Sequence, residues 1–205
     1  MSSDQVDADR RKMLVAATAG SFVVGGGFVA YAFGGSLAPS ERAKAAGAPV
    51  EVDLSKIEMG QRISVMYRGK PVWVMRRTPE AIENIKKLSS SVLDSMSKGS
   101  SQPSYCSNET RSVEGKEEFF ITISLCTHLG CIPSYVPEVG AQDYDVNWLG
   151  GLYCPCHGSR YDLAGRVFPN VPAPTNLVIP NYAYLSDTKV VIGLGPDEIE
   201  TNGEA

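Results

Sequence analysis

Two short motifs of cysteine and histidine carry most of the chemistry that this sequence can perform. They read C-T-H-L-G-C at residues 126–131 and C-P-C-H-G-S at residues 154–159. The chain has 2 histidines, and one lies in each motif. Each motif therefore offers a thiolate and an imidazole within a few residues of each other. Two sulfur and two nitrogen ligands of this kind can bind a metal ion or an iron–sulfur cluster.

The mixed composition of each pair favours an iron–sulfur cluster over zinc. Structural zinc sites usually pair like ligands, with two cysteines in one motif and two histidines in the other. In a 2Fe-2S cluster with mixed ligation, two histidines replace two cysteines on one iron. We therefore predict that Cys126 and Cys154 bind the inner iron and that His128 and His157 bind the outer iron. Zinc remains the alternative metal.

The second cysteine of each motif has no role in this ligand set. In an oxidising compartment we expect Cys131 and Cys156 to form a disulfide that joins the two motifs. Two plain disulfides would explain the cysteines, but not why both histidines lie beside them. A thioredoxin-like dithiol is disfavoured because one residue, not two, separates Cys154 from Cys156. Cys106 is the odd cysteine, and we expect a free thiol without a role.

An N-terminal apolar segment predicts a membrane anchor for these motifs. Residues 13–35 contain no charged side chain. A helix of this length extends about 34 Å, enough to cross a hydrocarbon core of about 30 Å. Arg10, Arg11 and Lys12 precede the segment and predict a cytoplasmic N-terminus at residues 1–12. The rest of this single-pass chain then lies on the periplasmic side of a bacterial inner membrane.

The Arg10-Arg11 pair also resembles a twin-arginine signal, which exports proteins that have already folded. A cluster inserted in the cytoplasm would need such a route. One alternative is that these residues are an ordinary basic flank of the apolar segment. A second is cleavage at the small residues of 43–48. Because the apolar run is longer than the usual signal-peptide core of about 7–15 residues, we expect a retained anchor.

The remaining sequence predicts a linker followed by one β-domain. Residues 36–49 are rich in Ala, Gly and Pro and predict a flexible hinge, and residues 50–205 are expected to form the domain. Within the domain, one helix that is capped by Thr78 and begins at Pro79 is expected to interrupt the strands. Polar residues 89–118 and the acidic tail 195–205 predict exposed surface. Short β-branched or alternating runs predict strands at 63–67, 72–75, 119–125, 178–179 and 189–194.

Together these features resemble the Rieske iron–sulfur subunit of bacterial cytochrome bc complexes, the ubiquinol–cytochrome c oxidoreductases. Besides the two motifs, R-G-K-P-V-W-V-M-R-R-T at 68–78 is similar to the strand and turn that open the family's soluble domain. P-A-P at 172–174, followed by N-L at 176–177, is similar to its proline loop. The implied fold is mainly antiparallel β, with a base domain, a smaller cluster-binding subdomain at about 124–175 and one N-terminal transmembrane helix.

The resemblance also implies a function and partners. In this family the subunit passes an electron from ubiquinol through a high-potential 2Fe-2S cluster to a c-type cytochrome, with coupled proton release. His157 is then the expected quinol contact, with His128 second, and Ser159 and Tyr161 are expected to donate hydrogen bonds to sulfur. Leu129 and the proline loop are expected to dock on cytochrome b. The respiratory complex is expected to be a dimer in membrane lipid, and a net charge of -4 argues against nucleic acid as a partner.

Two features depart from the family pattern. The stretch between the motifs is longer than in mitochondrial members, and we expect residues 136–147 to be an extra surface loop that does not touch the cluster. Asn170 stands where the proline loop usually has Gly, with Val171 as an added residue. Because Asn tolerates positive φ better than most residues, we expect the turn to be kept.

Three other functions are compatible with parts of this pattern. The first is the small Rieske subunit of another exported oxidoreductase, such as arsenite oxidase, but the 68–78 stretch and the long anchor argue against it. The second is a soluble Rieske ferredoxin of a dioxygenase, which needs neither the clamp cysteines nor the anchor. The third is an anchored binding module stabilised by zinc, which iron content alone would distinguish.

Overall fold

The structure is a computed structural model that describes residues 7–202. It consists of two compact units that divide between Ala45 and Ala46, within the predicted hinge. Part of the predicted cytoplasmic segment, residues 1–6, and the end of the predicted acidic tail, residues 203–205, lie outside the described residues.

The first unit is dominated by one long helix, α1 (Ala8–Ser36). Asp7 caps it, because its carboxylate accepts hydrogen bonds from the amides of Asp9 and Arg10 at 3.1 and 3.2 Å. Basic residues 10–12 belong to its first turns instead of preceding it. Its length and composition make it a candidate membrane span near the N-terminus. The helix therefore fits a membrane-anchored protein.

The Thr18 and Ser21 hydroxyl groups inside α1 are satisfied by the helix itself. Thr18 Oγ1 donates to the Leu14 carbonyl at 2.8 Å, and Ser21 Oγ donates to the Ala17 carbonyl at 2.9 Å. A hydrocarbon core offers no water to pair such groups. This internal pairing suits a segment that lies in lipid.

The predicted hinge contains a short helix, α2 (Glu41–Ala46). An ion pair of 2.7 Å joins Lys44 to Glu41 one turn earlier, with both side chains largely exposed. Exposed pairs of this kind contribute at most about 0.5 kcal/mol. The segment is thus partly helical, which its composition did not predict, and its role as a hinge stays a prediction.

The second unit is built from short antiparallel strands. They are β1 (Val50–Asp53), β2 (Arg62–Tyr67), β3 (Lys70–Arg76), β4 (Phe119–Ile123), β5 (Ser134–Val136), β6 (Gly151–Tyr153), β7 (Arg160–Asp162), β8 (Tyr182–Ser186) and β9 (Lys189–Ile192). Within the described residues they form three sheets, in the orders β1-β9-β8, β2-β3-β4 and β5-β6-β7. All pairings are antiparallel, which confirms the predicted fold class.

One hydrophobic core connects the three sheets. Val72 of β3, Ile192 of β9 and Leu152 of β6 are fully buried members of the same cluster. Each such side chain stabilises the fold by about 1.5–3 kcal/mol relative to an exposed one. Cys126 and Cys154 belong to this cluster as well, so the two motifs begin at the edge of the core.

Local sequence predicted the elements around β3 correctly. Strands β2 and β3 form a hairpin whose turn residues, Arg68 and Gly69, have φ values of 49° and 72°. Positive φ at both positions is what a two-residue hairpin turn requires. Helix α3 (Pro79–Lys87) follows, and Thr78 Oγ1 accepts a hydrogen bond from the Ala81 amide at 3.1 Å. The predicted N-cap is confirmed.

One strand prediction near the C-terminus is wrong, and one helix there was not predicted. Residues 178–179 are not a strand, although the Val178 carbonyl accepts a hydrogen bond from the Ile123 amide at 2.8 Å. The described start of the acidic tail, residues 195–199, is exposed or partly exposed as predicted, but it also includes a helix that was not predicted, α4 (Pro196–Asn202), which lies against β8. Both segments are shaped by tertiary contacts that a two-residue apolar run and a charge count do not reveal.

The segment 89–118 is only in part the exposed surface that was predicted. Cys106, Arg111 and Ser112 are fully buried. Nη1 and Nη2 of Arg111 and the Ser112 hydroxyl donate to carbonyl oxygens of the core, including that of Phe119 at 2.7 Å from Ser112. Hydrogen bonds rather than an apolar period hold this segment, so its polar composition was misleading.

Candidate metal centre

The first motif forms a closed loop just before β5. The Cys126 amide donates to the Cys131 carbonyl at 2.7 Å, and the Gly130 amide donates to the Cys126 carbonyl at 2.9 Å. Gly130 has a φ of 82°, which residues with a side chain rarely adopt. This closure leaves Cys126 buried and the tip of the loop exposed.

The second motif repeats this closure at equivalent positions. The Cys154 amide donates to the Ser159 carbonyl at 2.7 Å, and the Gly158 amide donates to the Cys154 carbonyl at 2.9 Å. The loop joins β6 to β7, and Tyr153 pairs with Arg160 where the strands end. The two loops therefore present their first cysteines in the same way.

The predicted ligands lie together in two layers. Cys126 and Cys154 are only 3% and 1% exposed, whereas His157 is exposed and His128 is partly exposed. The centroids of the two imidazole rings are 4.7 Å apart, and the rings are nearly perpendicular, at 86°. Buried sulfurs beside exposed rings suit a cluster with one inner and one outer iron. The ligand assignment itself stays a prediction.

The surroundings of the Cys126 thiol favour a negative charge on sulfur, whereas those of Cys154 do not. Burial raises the pKa of Cys126, but hydrogen bonds from Tyr161, the His128 amide, Cys154 and Ser159 outweigh it, so the pKa of this thiol is lowered. Burial, together with the facing Cys126 sulfur, raises the pKa of Cys154. Iron is bound by thiolates, and several donors aimed at sulfur stabilise an anion. The donor set therefore fits a 2Fe-2S cluster.

A disulfide between Cys131 and Cys156 joins the two loops, as predicted. Their Cα atoms are 6.8 Å apart, within the normal range for a disulfide. The Cys154 sulfur lies within 4.8 Å of both bonded sulfurs, but a disulfide offers no thiolate to a metal. Cys106, Cys126 and Cys154 are free thiols. A second disulfide and a dithiol pair of Cys154 with Cys156 are thereby excluded.

Tyr161 reaches the first loop from β7. Its hydroxyl oxygen lies 3.2 Å from the Cys126 sulfur and accepts a hydrogen bond from the Thr127 amide at 3.1 Å. Burial raises the pKa of Tyr161, so its hydroxyl keeps its proton and remains a donor. Thr127 Oγ1 donates to the Thr175 carbonyl at 2.7 Å and thereby ties this loop to the proline loop.

Ser159 ties the second loop to the proline loop. It is fully buried, and its Oγ accepts a hydrogen bond from the Ala173 amide at 3.1 Å. The hydroxyl proton is left to donate to the Cys126 sulfur. Asn170, earlier in the proline loop, has a φ of 59°, which confirms that Asn keeps the expected turn.

Buried arginines hold the turn after Tyr161, residues 162–166, and the sequence analysis missed them. Arg111 donates to two carbonyls of this turn at 3.2 and 3.3 Å and to the Leu177 carbonyl at 2.6 Å. Burial lowers its pKa to about 10, so it is still charged at neutral pH. Within the turn, Arg166 pairs with Asp162 at 2.7 Å, with both side chains fully buried. Arginine usually indicates surface, so only the spacing of Asp162 and Arg166 could have signalled this pair.

The predicted surface loop, residues 136–147, is exposed or partly exposed throughout, but the longer β5–β6 loop (residues 137–150) to which it belongs also packs on the sheet. Trp148 is 1% exposed, and its indole N–H donates to the Val136 carbonyl at 3.0 Å. The Tyr144 ring stacks on Tyr153, the residue before Cys154, a predicted ligand. Tyr144 in the predicted surface loop and Trp148 just after it are the large aromatic residues that could have revealed this packing.

Comparison with known proteins agrees with this site. Residues 92–183 match the family model of the Rieske [2Fe-2S] domain. The chain is 52% identical over 193 residues to the ubiquinol–cytochrome c reductase iron–sulfur subunit of Allochromatium vinosum, covering 94% of this chain and 92% of the relative. It is 41% identical over 184 residues to the subunit of the same name from Bradyrhizobium diazoefficiens, covering 90% and 94%. A chain of a hyperthermophilic respiratory complex III has 27% identity and a TM-score of 0.47, covering 87% of this chain and 98% of that one.

These matches decide between the alternatives that the sequence left open. The domain match supports a 2Fe-2S cofactor and not zinc. The named relatives support a subunit of a cytochrome bc complex and not the arsenite oxidase alternative. Because relatives well above 30% identity match nearly the whole chain, it belongs to the family of ubiquinol–cytochrome c reductase iron–sulfur subunits.

Proposed function

We propose that this chain is the electron-transfer subunit of a ubiquinol–cytochrome c reductase. It takes an electron from ubiquinol and passes it to a c-type cytochrome. The observation that carries the proposal is the pair of imidazoles of His128 and His157, 4.7 Å apart, beside two buried thiols. The relatives that match nearly the whole chain bear the name of this subunit.

The residues around the two loops fit this role. When bound, the cluster supplies one-electron chemistry at a relatively high potential, because neutral imidazoles replace two thiolates. The hydroxyls of Tyr161 and Ser159 donate to sulfur and stabilise the added negative charge. The ligands would be Cys126, His128, Cys154 and His157.

His157 is the proposed quinol contact because it is the exposed imidazole of the two. The ring nitrogen that ligation leaves free accepts a hydrogen bond from a quinol hydroxyl and takes up its proton. His128 is only partly exposed and ranks second. Leu129, 73% exposed, and Ile132, 55% exposed, add apolar surface in and after the first loop. This surface excludes water and docks on cytochrome b.

The remaining parts of the chain connect this head to the membrane. Helix α1 anchors the subunit with its N-terminus in the cytoplasm, since basic residues 10–12 lie at that end. Residues 36–49 form a hinge that lets the head reach both cytochromes, and Arg10-Arg11 direct export of the folded domain. The complex is a dimer in membrane lipid. A protease added to right-side-out vesicles of the inner membrane should cut the β-domain, and protection would contradict this orientation.

Electron paramagnetic resonance of ascorbate-reduced membranes tests the function. We expect a Rieske-type signal that shifts when an inhibitor of the quinol-oxidising site is added. A Leu129→Ala variant should keep the signal but lose part of the inhibitor-induced shift, because it retains the ligands and trims the docking surface. A signal that appears only with a strong reductant, or that no such inhibitor shifts, would contradict the proposal.

A further inference from the structure

One cross-strand pair, the closing pair, joins the two ends of the second ligand loop, residues 154–159. Tyr153 is the last residue of β6, and Arg160, directly opposite, is the first residue of β7. Cys154 and Ser159 follow inside this pair. Side chains of directly opposed residues project from the same face of a sheet. Whatever holds this pair therefore holds both ends of residues 154–159.

The β5–β6 loop contacts both members of the pair. The ring of Tyr144 stacks on the ring of Tyr153, with centroids 3.9 Å apart and planes inclined by 6°. Arg160 Nη1 donates to the Tyr144 carbonyl oxygen at 3.1 Å and to Asp145 Oδ2 at 2.9 Å. The side chains of this ion pair are 22% and 21% exposed, so water and salt screen it less than a surface pair. Two consecutive loop residues thus bridge β6 and β7.

The loop is itself fixed on the strands, so this bridge is not a loose surface contact. The Trp148 indole donates to the Val136 carbonyl at 3.0 Å, and its ring packs against Gly151 of β6. A Cβ atom at Gly151 would lie 2.8 Å from that ring, so only glycine fits beneath it. The Gln142 amide donates to the Asp145 carbonyl at 2.9 Å and closes the tip of the loop. Asp145 is therefore presented to Arg160 from a fixed turn.

We propose that Tyr144 and Asp145 are positioning residues for the second ligand loop. They act through Tyr153 and Arg160, and they hold the loop so that Cys154, His157 and Ser159 keep their places around the cluster. The inference rests on the proposed ligand set and extends the site to residues that touch no ligand. If the closing pair opens, the Ser159 hydroxyl moves away from sulfur, and the reduced state loses a stabilising hydrogen bond. Loosening this pair should therefore lower the reduction potential and release the cluster faster.

Asp145→Asn and Asp143→Asn form the matched pair of variants that tests the proposal. Each removes one negative charge, at positions two residues apart, so their long-range electrostatic effects on the cluster should be alike. Asp143 is exposed, whereas Asp145 holds Arg160. Removing a negative charge alone should raise the potential or leave it unchanged. Opening the closing pair should lower it, so the two mechanisms predict opposite signs.

The measurements are the midpoint potential, by a redox titration followed by electron paramagnetic resonance, and the rate of cluster loss on mild heating of the purified holoprotein. We expect Asp145→Asn to have a lower potential than Asp143→Asn. We also expect Asp145→Asn to lose its cluster about five times faster than Asp143→Asn. Loss of an ion pair at the strong end of the range for exposed pairs changes a rate or an equilibrium by about this factor. Asp143→Asn should lose its cluster at the unaltered rate.

Tyr144 offers a second matched pair that does not change charge. Its hydroxyl is buried and has no hydrogen-bond partner among the described residues, so Tyr144→Phe should keep the stack and both measured properties. Tyr144→Ala removes the stack and should lower the potential and speed cluster loss. Equal potentials and equal loss rates within both pairs of variants would overturn the inference. An unaltered protein that carries no 2Fe-2S cluster would overturn the proposed function and the inference with it.

Discussion

The hydroxyl oxygen of Tyr161 lies 3.2 Å from the sulfur of Cys126, although 35 residues separate them in the chain. The same oxygen accepts a hydrogen bond from the Thr127 amide, so its own proton is free to point at sulfur or at Thr127 Oγ1. Once Cys126 is a thiolate, the charged sulfur is the stronger acceptor. The hydroxyl of Tyr161 on β7 is thereby coupled to the charge on the Cys126 sulfur.

Replacing Tyr161 with phenylalanine should lower the reduction potential. The change removes only the hydroxyl, and a hydrogen bond worth about 1 kcal/mol corresponds to about 40 mV for a one-electron couple. The measurement is a redox titration followed by electron paramagnetic resonance. Tyr153→Phe, which keeps its ring in the stack with Tyr144, is the control and should leave the potential unchanged. An unchanged potential in Tyr161→Phe would show that the hydroxyl does not act on the cluster.

Replacing Ser159 with alanine should lower both the potential and the stability. The potential falls because a donor to sulfur is lost. The free energy of unfolding falls by about 1–3 kcal/mol because the buried Ala173 amide loses its acceptor. Denaturant unfolding of the variant measures this cost against Ser134→Ala, an exposed position on β5 that should change neither property. Equal stability of the two variants would contradict the link between Ser159 and the proline loop.

Removing the disulfide with Cys131→Ser and Cys156→Ser together should destabilise the domain. The disulfide joins residues 25 positions apart, and a loop of this length restricts the unfolded chain by about 3.5 kcal/mol. Denaturant unfolding should show a loss of that order, and cluster loss should be faster. A reductant should destabilise the unaltered protein but have no further effect on the double variant. If it destabilises both equally, the disulfide is not the cause.

The stability should fall steeply at alkaline pH, in part because of Tyr105. Its hydroxyl donates to the Tyr182 carbonyl at 2.7 Å and accepts from the Tyr182 amide at 2.9 Å. Burial raises the pKa of Tyr105 from 10.0 to about 12. Between these values the folded state binds more protons than the unfolded state, so the contribution is full below pH 10 and is lost as the pH rises to about 12.

Tyr105→Phe isolates this contribution. Urea unfolding followed by circular dichroism should show that the free energy of unfolding falls less steeply between pH 10 and 12 in the variant than in the unaltered protein. Other buried tyrosines and arginines titrate in both proteins, so the difference between the two slopes belongs to Tyr105. Identical slopes would contradict the raised pKa.

The sequence was sufficient to predict the parts that local chemistry determines. Two Cys-His motifs led to the cluster loops, the two remaining motif cysteines led to the disulfide, and Thr78 led to the N-cap of α3. In each case the residue type and its spacing limit the structure directly. The antiparallel β class followed from short alternating runs in the same way.

The sequence was not sufficient where distant polar groups meet. Arg111 is buried because carbonyls of the 162–166 turn accept its hydrogen bonds, more than fifty positions further along the chain. The closeness of Tyr144 to Tyr153, and of Asp145 to Arg160, likewise depends on the path of the β5–β6 loop. Such contacts produce no regular pattern in the sequence, because each joins two residues that only the fold brings together.

The central claim is that His128 and His157 bind one iron of a 2Fe-2S cluster. Because these are the 2 histidines of the chain, protein grown with histidine that is ¹⁵N-labelled in its imidazole carries the label in these two rings alone. Pulsed electron paramagnetic resonance of the reduced protein should then show two strongly coupled ¹⁵N nuclei. A reduced cluster without ¹⁵N coupling would contradict the account, since its iron would be bound by other residues.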